Sequence, residues 1–240
     1  MRPLLEVTNL DFSYPSTHEE GGLVLRAERF ELSAGTACSL RGTNMSGKTT
    51  FVRMVSGHLR GTETVVRVDG ETLSPFTPTR ARSLGVASVH QHDPLFPELT
   101  IWENVMLGRP AGQTGLQRNR TRRGQLGDHL SHWDNTHIDD ELRKLSGGAH
   151  VLVRMLRAVL WGYKVLLLDE PTIGLDSNVK ARFFDLLFST LNQDRAVVFV
   201  SHIDDEHRIL ANGAARQSIK HRTVFLRAGC FDLTHVGGEQ

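Results

Sequence analysis

Gly42-Thr43-Asn44-Met45-Ser46-Gly47-Lys48-Thr49-Thr50 has the form G-x-x-x-x-G-K-[ST] and stands where a strand should hand over to a helix. Before it, Thr36-Ala37-Cys38-Ser39-Leu40 is a short, mostly apolar run ending at Arg41; after it, Phe51, Met54 and Val55 carry the three-and-four spacing of a helix face. A loop in that setting binds phosphate. Its glycines let backbone N–H groups converge on a β-phosphate, and the helix N-terminus adds about half a positive charge at the same point. On this reading Lys48 reaches the β- and γ-phosphates and the Thr49 hydroxyl holds Mg²⁺.

Two later strands end in groups suited to that ligand. Val165-Leu166-Leu167-Leu168 is an apolar run of the kind found in a buried parallel strand, and it delivers Asp169-Glu170-Pro171. Acids at the carboxyl end of such a strand sit where α/β sheets bind ligands, so Asp169 holds Mg²⁺ through water and Glu170 polarises an attacking water. Ala196-Val197-Val198-Phe199-Val200 is a second buried strand and ends at Ser201-His202, which puts His202 on the same edge for a γ-phosphate contact. Leu84 to Val89 is a further apolar run that stops at His90-Gln91-His92-Asp93-Pro94; Gln91 is either a Mg²⁺ or water ligand or a solvated turn residue. Ser146-Gly147-Gly148 opens a helix predicted through Leu160, with Ser146 as N-cap; it is either a second phosphate dock or a plain cap. Tyr14, at the end of a strand over Leu4 to Tyr14, offers its ring to a nucleotide base or packs as an edge aromatic.

The composition bounds the rest. At 240 residues with 39% hydrophobic and 23% charged residues, the chain can bury a substantial core, and its formal net charge of +1 argues against a nucleic-acid grip built on bulk charge. Met1-Arg2-Pro3-Leu4-Leu5 breaks at Glu6 and does not read as a signal peptide, and no apolar run is long enough to cross a bilayer, so an intracellular, soluble chain is expected. Cys38 and Cys230 lack metal-ligand spacing and read as packed or free thiols. Thr100 with Glu103 has the form of a capping box for a helix ahead of Leu107, and Ile138 to Leu145 regains helical character. The stretch from Arg109 to Asp134, with Arg118, Arg120, Arg122 and Arg123 among Gly, Asn and Gln, reads as a solvated basic loop. Asn178 to Leu191 and Ile203 to Ala211 read as helices, and Thr223 to Leu233 as a terminal hairpin.

The phosphate loop, Gln91, Leu145-Ser146-Gly147-Gly148, Asp169-Glu170, Ile173-Gly174-Leu175-Asp176 and His202, in that order, resemble the nucleotide-binding subunit of ABC transporters over nearly the whole chain. The resemblance implies a P-loop NTPase core with a mainly parallel sheet, an N-terminal antiparallel β subdomain and an inserted helical subdomain, with residues 1–90 and 151–240 forming the core and 91–150 the helical part. It makes Gly42 to Thr50 the Walker A loop, Gln91 the Q-loop glutamine, Asp169 the Walker B acid, Glu170 the catalytic carboxylate, Asp176 the D-loop acid, His202 the switch histidine and Tyr14 the base-stacking aromatic. It also implies a head-to-tail dimer, homo- or heteromeric. In it each ATP lies between the phosphate loop of one chain and the Ser146-Gly147-Gly148 helix start of the other, at the cytoplasmic face of the cell membrane under transmembrane permease subunits.

The family's signature usually continues with Gln, whereas Ala149 and His150 follow here, and Ala149 has no side-chain donor or acceptor. Because the signature works across the dimer, the loss falls on the opposite ATP, which in a heterodimer makes the two sites unequal. Val89-His90-Gln91 and the stretch from Leu99 to Arg109 are similar to the ATPases of bacterial sugar importers, which often carry two nucleotide domains in one chain where this sequence has one. The function expected is a Mg²⁺-dependent ATPase powering transport, with no nucleic-acid partner. The alternatives are a low-turnover regulatory partner in an asymmetric dimer and a soluble ABC ATPase outside transport.

Overall fold

The computed structural model describes residues 2–14, 24–90, 93–109, 116–131, 133 and 136–232. Alternating burial of Leu5 and Val7 makes β1 (Leu5–Ser13), which pairs antiparallel with β2 (Val24–Leu32), Leu5 opposite Leu32. The run before the phosphate loop is β3 (Thr36–Arg41), and α1 (Lys48–Val55) leaves it. β4 (Val65–Val68) and β5 (Glu71–Thr72) close a hairpin through Asp69-Gly70, both at positive φ as a tight turn of this hand requires. α2 (Pro78–Ser83), which the sequence reading passed over, starts at a proline and is capped by Thr77, whose side chain accepts from Arg80 N. It leads to β6 (Val86–His90), α3 (Ile101–Met106), α4 (Leu116–Leu130) and α5 (Ala149–Trp161). The remainder is β7 (Val165–Asp169), α6 (Ser177–Thr190), β8 (Ala196–Val200), α7 (Asp204–Arg216), β9 (Lys220–Arg227) and β10 (Cys230–Asp232).

Among the described residues the strands form one sheet in the order β5-β4-β1-β2-β10-β9-β3-β8-β7-β6. β3 is parallel to both β8 and β9, and β7 is parallel to β8; β1, β2, β4 and β5 are joined by antiparallel ladders. The parallel registers position the site. Leu40 lies opposite Val200, and Val200 opposite Asp169, so the chain leaves β3, β8 and β7 at one edge, on three neighbouring strands. β7 and β8 are buried along their whole length, which is why each reads as a continuous apolar run rather than an alternating one.

The phosphate-loop helix is pinned to the sheet by aromatic packing. Phe51 of α1, Phe30 of β2 and Phe231 of β10 stand with ring centroids 4.8, 5.2 and 5.0 Å apart, mostly edge to face. Truncating the fully buried Phe51 would cost about 3–5 kcal/mol and loosen the helix that carries Lys48.

The chain divides into two compact units, residues 1–88 with 163–170 and 191–240, and residues 89–162 with 171–190. In the second, α3 begins with the expected capping box: Thr100 N donates to Glu103 Oε2 at 2.8 Å and Glu103 N to Thr100 Oγ1 at 3.1 Å. Three expectations are corrected there. The basic stretch from Arg109 to Asp134 carries a helix, α4, because Leu126 and Leu130, four residues apart, give it a buried face that the surrounding arginines obscure. Ile138 to Leu145 is not a helix but an irregular segment with one 3-10 turn at Leu142–Lys144. And Ser146 is not the N-cap of α5: the helix starts at Ala149 with Gly148 before it, and the Ser146 hydroxyl only accepts a long bond from Ala149 N at 3.4 Å. The two cysteines are free thiols. Cys38 lies wholly inside, where burial pushes its thiol up to about 12, and Cys230 is exposed.

Candidate functional site

The first unit builds a phosphate-shaped corner at the edge where β3, β8 and β7 end. Gly42 opens it: a Cβ at this position would lie 2.3 Å from Leu226 O and 2.6 Å from Ser46 Oγ, so only glycine fits. Gly47 closes it at φ 106, directly before Lys48, the first residue of α1. Between them Met45 holds φ 63, a left-handed conformation unfavourable for a side chain of its size, and points its side chain into solvent. Lys48 folds back over the loop and donates from Nζ to Gly42 O and Thr43 O, both at 2.8 Å. Burial lowers its ammonium pKa, and the carboxylates of Glu170 and Asp169 oppose that shift. The Ser46 hydroxyl is buried and has no hydrogen-bond partner among the described residues. A cradle that excludes any Cβ, a lysine over it and an unspent buried hydroxyl fit a nucleotide phosphate.

Beside the cradle, Thr49 Oγ1 donates to Asp169 Oδ1 at 3.2 Å, which puts a hydroxyl and a carboxylate at one point. Hard oxygen donors of this kind suit Mg²⁺. Glu170 follows at φ 49, its amide donating to Val200 O of the neighbouring strand at 3.0 Å. That bond turns its side chain toward His202, whose Nδ1 stands 3.0 Å from Glu170 Oε2. Burial raises the Glu170 pKa, partly offset by His202, so this carboxylate holds a proton more readily than a free one and is a better base when ionised. Tyr14, at the end of β1, packs edge to face on Phe12 at 4.9 Å, with its hydroxyl 3.4 Å from Thr50 Oγ1 of α1. Lys48, Thr49, Asp169, Glu170, His202 and Tyr14, spread over the sequence, thus all belong to this unit.

The remaining expected residues belong to the second unit. Ser146 and Gly147 are exposed ahead of α5. Asp176 caps α6, its Oδ1 accepting from Asn178 N at 2.9 Å and Val179 N at 3.0 Å. Gly147, Gly148, His150, Arg154, Pro171 and Gly174 line a cavity of about 290 Å³. Burial lowers the pKa of His150, whose Nε2 is out of solvent with no hydrogen-bond partner among the described residues. Gln91 lies outside the described residues.

Two residues that sequence reasoning missed organise the segment following Gln91. Asn104, fully buried, accepts from Phe96 N at 2.8 Å and donates to the carbonyls of Phe96, Leu99 and Thr100 at 2.9 to 3.2 Å. Arg154 of α5 donates from Nε to Asp93 O at 2.8 Å, tying the same segment to the helix that Ser146 precedes. Asn104 had a faint signal, an amide side chain on the inner face of an amphipathic turn; Arg154 had none, because its partner is a backbone oxygen.

Residues 25–173 match the ABC transporter family. Among characterised proteins, the arabinose import ATP-binding protein AraG of Rhizobium meliloti is 31% identical over the whole of this chain and 46% of its own length. The ribose import ATP-binding protein RbsA of Jannaschia is 30% identical over 85% of this chain and 39% of its own. The galactofuranose transporter ATP-binding protein YtfR of Escherichia coli is 26% identical over 77% and 39%. The chain spans less than half the length of these relatives. Two solved structures, a nucleotide-free ATP-binding cassette from an ABC transporter and an ATP-binding cassette in its ADP conformation, superpose with TM-scores of 0.74, covering 96% and 97% of this chain and 90% of each of theirs at 18% and 19% identity. The α/β fold is thus that of an ATP-binding cassette.

Proposed function

The chain belongs to the ABC transporter family, and from that premise we propose that it is the ATP-hydrolysing subunit of a sugar importer. The observation that carries the reading is the pairing of two contacts at one sheet edge, Thr49 with Asp169 and Glu170 with His202, beside a loop that Lys48 closes. The import names of the relatives support the cargo class.

In this mechanism Gly42 to Thr50 wraps the phosphates, Ser46 spends its buried hydroxyl on one of them, and Lys48 exchanges its two carbonyl partners for β- and γ-oxygens. Thr49 and Asp169 would hold Mg²⁺, which when bound would neutralise charge on those oxygens. Glu170 orients the attacking water and takes its proton. His202, with Nδ1 at Glu170, keeps Nε2 for the γ-phosphate. Tyr14 stacks on the base. Ser146, Gly147, Gly148 and Asp176 serve the ATP of a second nucleotide-binding chain facing this one, and Ala149 favours unequal sites in that pair. The pair sits at the cytoplasmic face of the membrane under permease subunits; among the described residues no helix is long and apolar enough to cross a membrane.

Purified chain is assayed with Mg-ATP beside Glu170→Gln. The variant should bind ATP within about threefold of the parent while turnover falls by at least about 10²-fold; undiminished turnover would remove Glu170 as the base. The same variant, tagged and loaded with Mg-ATP, should bring down a polytopic membrane protein from detergent-solubilised membranes. Recovery of soluble partners alone would overturn the transport role and leave the ATPase chemistry.

A further inference from the structure

We infer that Ser201 and Glu206 are positioning residues for His202, with His207 as a second anchor, so that the start of α7 sets the histidine against Glu170; the inference rests on the hydrolytic reading above.

His202 is a poor candidate to hold its own position. Its side chain is 53% exposed, its hydrogen-bond partner at the site among the described residues is Glu170, and a half-solvated ring keeps its rotamer freedom. The backbone on either side is held differently. Ser201, 2% exposed, donates from Oγ to Glu206 Oε2 at 2.7 Å and accepts from Ile203 N at 3.0 Å, so one hydroxyl grips the chain just beyond His202 while tied to a glutamate that is itself 1% exposed. Ser201 O accepts from His207 Nε2 at 2.9 Å, and His207 is 5% exposed. A carbonyl can only accept, so His207 carries its proton on Nε2. On the strand side, Val200 O accepts from Glu170 N at 3.0 Å. The residues flanking His202 are therefore fixed by buried side chains of α7 and by the backbone of the candidate base.

A plain helix start needs less than this. Ser201 accepting from Ile203 N would suffice to shape the turn ahead of the helix. Burying a glutamate in the first turn of α7, where it accepts from that serine, is costly. The arrangement does more than shape that turn: it holds His202, exposed, between the buried Ser201 and the partly buried Ile203. Displacing that ring by about an ångström breaks the 3.0 Å contact and is enough to depress a step that depends on positioning.

The gentlest probe is Ser201→Ala, which removes one buried oxygen and no volume to speak of. It should lower kcat about tenfold with KM and nucleotide affinity unchanged, and should shift the Nδ1 resonance of His202 in histidine-labelled protein. In a His202→Ala background Ser201→Ala should lower kcat no further. Glu206→Gln, which keeps an acceptor for Ser201, should retain most of the turnover, whereas Glu206→Ala should match Ser201→Ala. An unmoved His202 resonance, or a Ser201→Ala loss that persists without His202, would overturn the inference. If His202→Ala alone turns over normally, the role of His202 in hydrolysis fails, and the resonance shift still decides whether Ser201 positions the ring.

Discussion

On the proposed reading, the two halves of the ATP chemistry are built to different standards. In the first unit the reactive groups are bonded to one another: Lys48 to the loop carbonyls, Thr49 to Asp169, Glu170 to His202. In the second, the corresponding residues face solvent or serve their own helices: Ser146 and Gly147 are exposed, and Asp176 spends its carboxylate capping α6. Groups that must act on a developing charge are pre-positioned because reorganisation at the moment of reaction costs rate. On the proposed reading Ser146, Gly147 and Asp176 complete the site of another chain, and such groups can wait in a solvated state until that chain supplies their ligand.

The largest test of this contrast is Lys48→Ala. Removing the ammonium that folds over the loop should abolish measurable turnover and weaken Mg-ATP binding by about 10²-fold, read by calorimetry; retention of affinity would mean the corner is not the phosphate site. Thr49→Val keeps the shape and deletes the donor to Asp169. It should raise the Mg²⁺ concentration needed for half-maximal turnover by roughly tenfold, and an unchanged requirement would take Thr49 out of the metal's ligand set.

A smaller effect follows from the imidazoles. His150, His207 and His221 are all held below the ordinary histidine value, with burial the leading cause in each. A histidine depressed in the fold binds its proton more readily when unfolded, so stability should be full above about pH 6.5 and be lost as pH falls below it. Glu170, raised by burial, acts in the opposite direction at more acid pH. The net expectation is a melting temperature lower by roughly 5 °C at pH 5.5 than at pH 7.5; a higher value at pH 5.5 would show that the imidazoles do not govern the window.

The smallest expected effect sits in the second unit. Ala149→Gln restores a side-chain donor and acceptor beside Gly148 and should raise turnover of the assembled pair about fivefold, near the net worth of one hydrogen bond, while leaving nucleotide affinity of the isolated chain unchanged. An equal gain in the monomer would place Ala149 at its own chain's ATP and erase the contrast.

What the sequence by itself determined was the parallel core and the chemistry at its edge. Buried parallel strands advertise themselves as apolar runs, β7 and β8 among them, and the residues at their ends, Asp169, Glu170 and His202, inherit their place from the strand. The glycine loop was legible for the same local reason: Gly42 tolerates no Cβ, a constraint that a single position can express. The tertiary structure alone decided what depends on partners far along the chain. α4 is a helix because two leucines find a buried face, although its arginines read as loop; Arg154 finds a carbonyl sixty-one positions away, and no residue type announces a backbone acceptor. The strand order likewise sets Val200 between Leu40 and Asp169, which turns three separate strand ends into one site. Local preference is written in neighbouring residues, whereas register and long-range hydrogen bonds are settled only when the sheet closes its ladders.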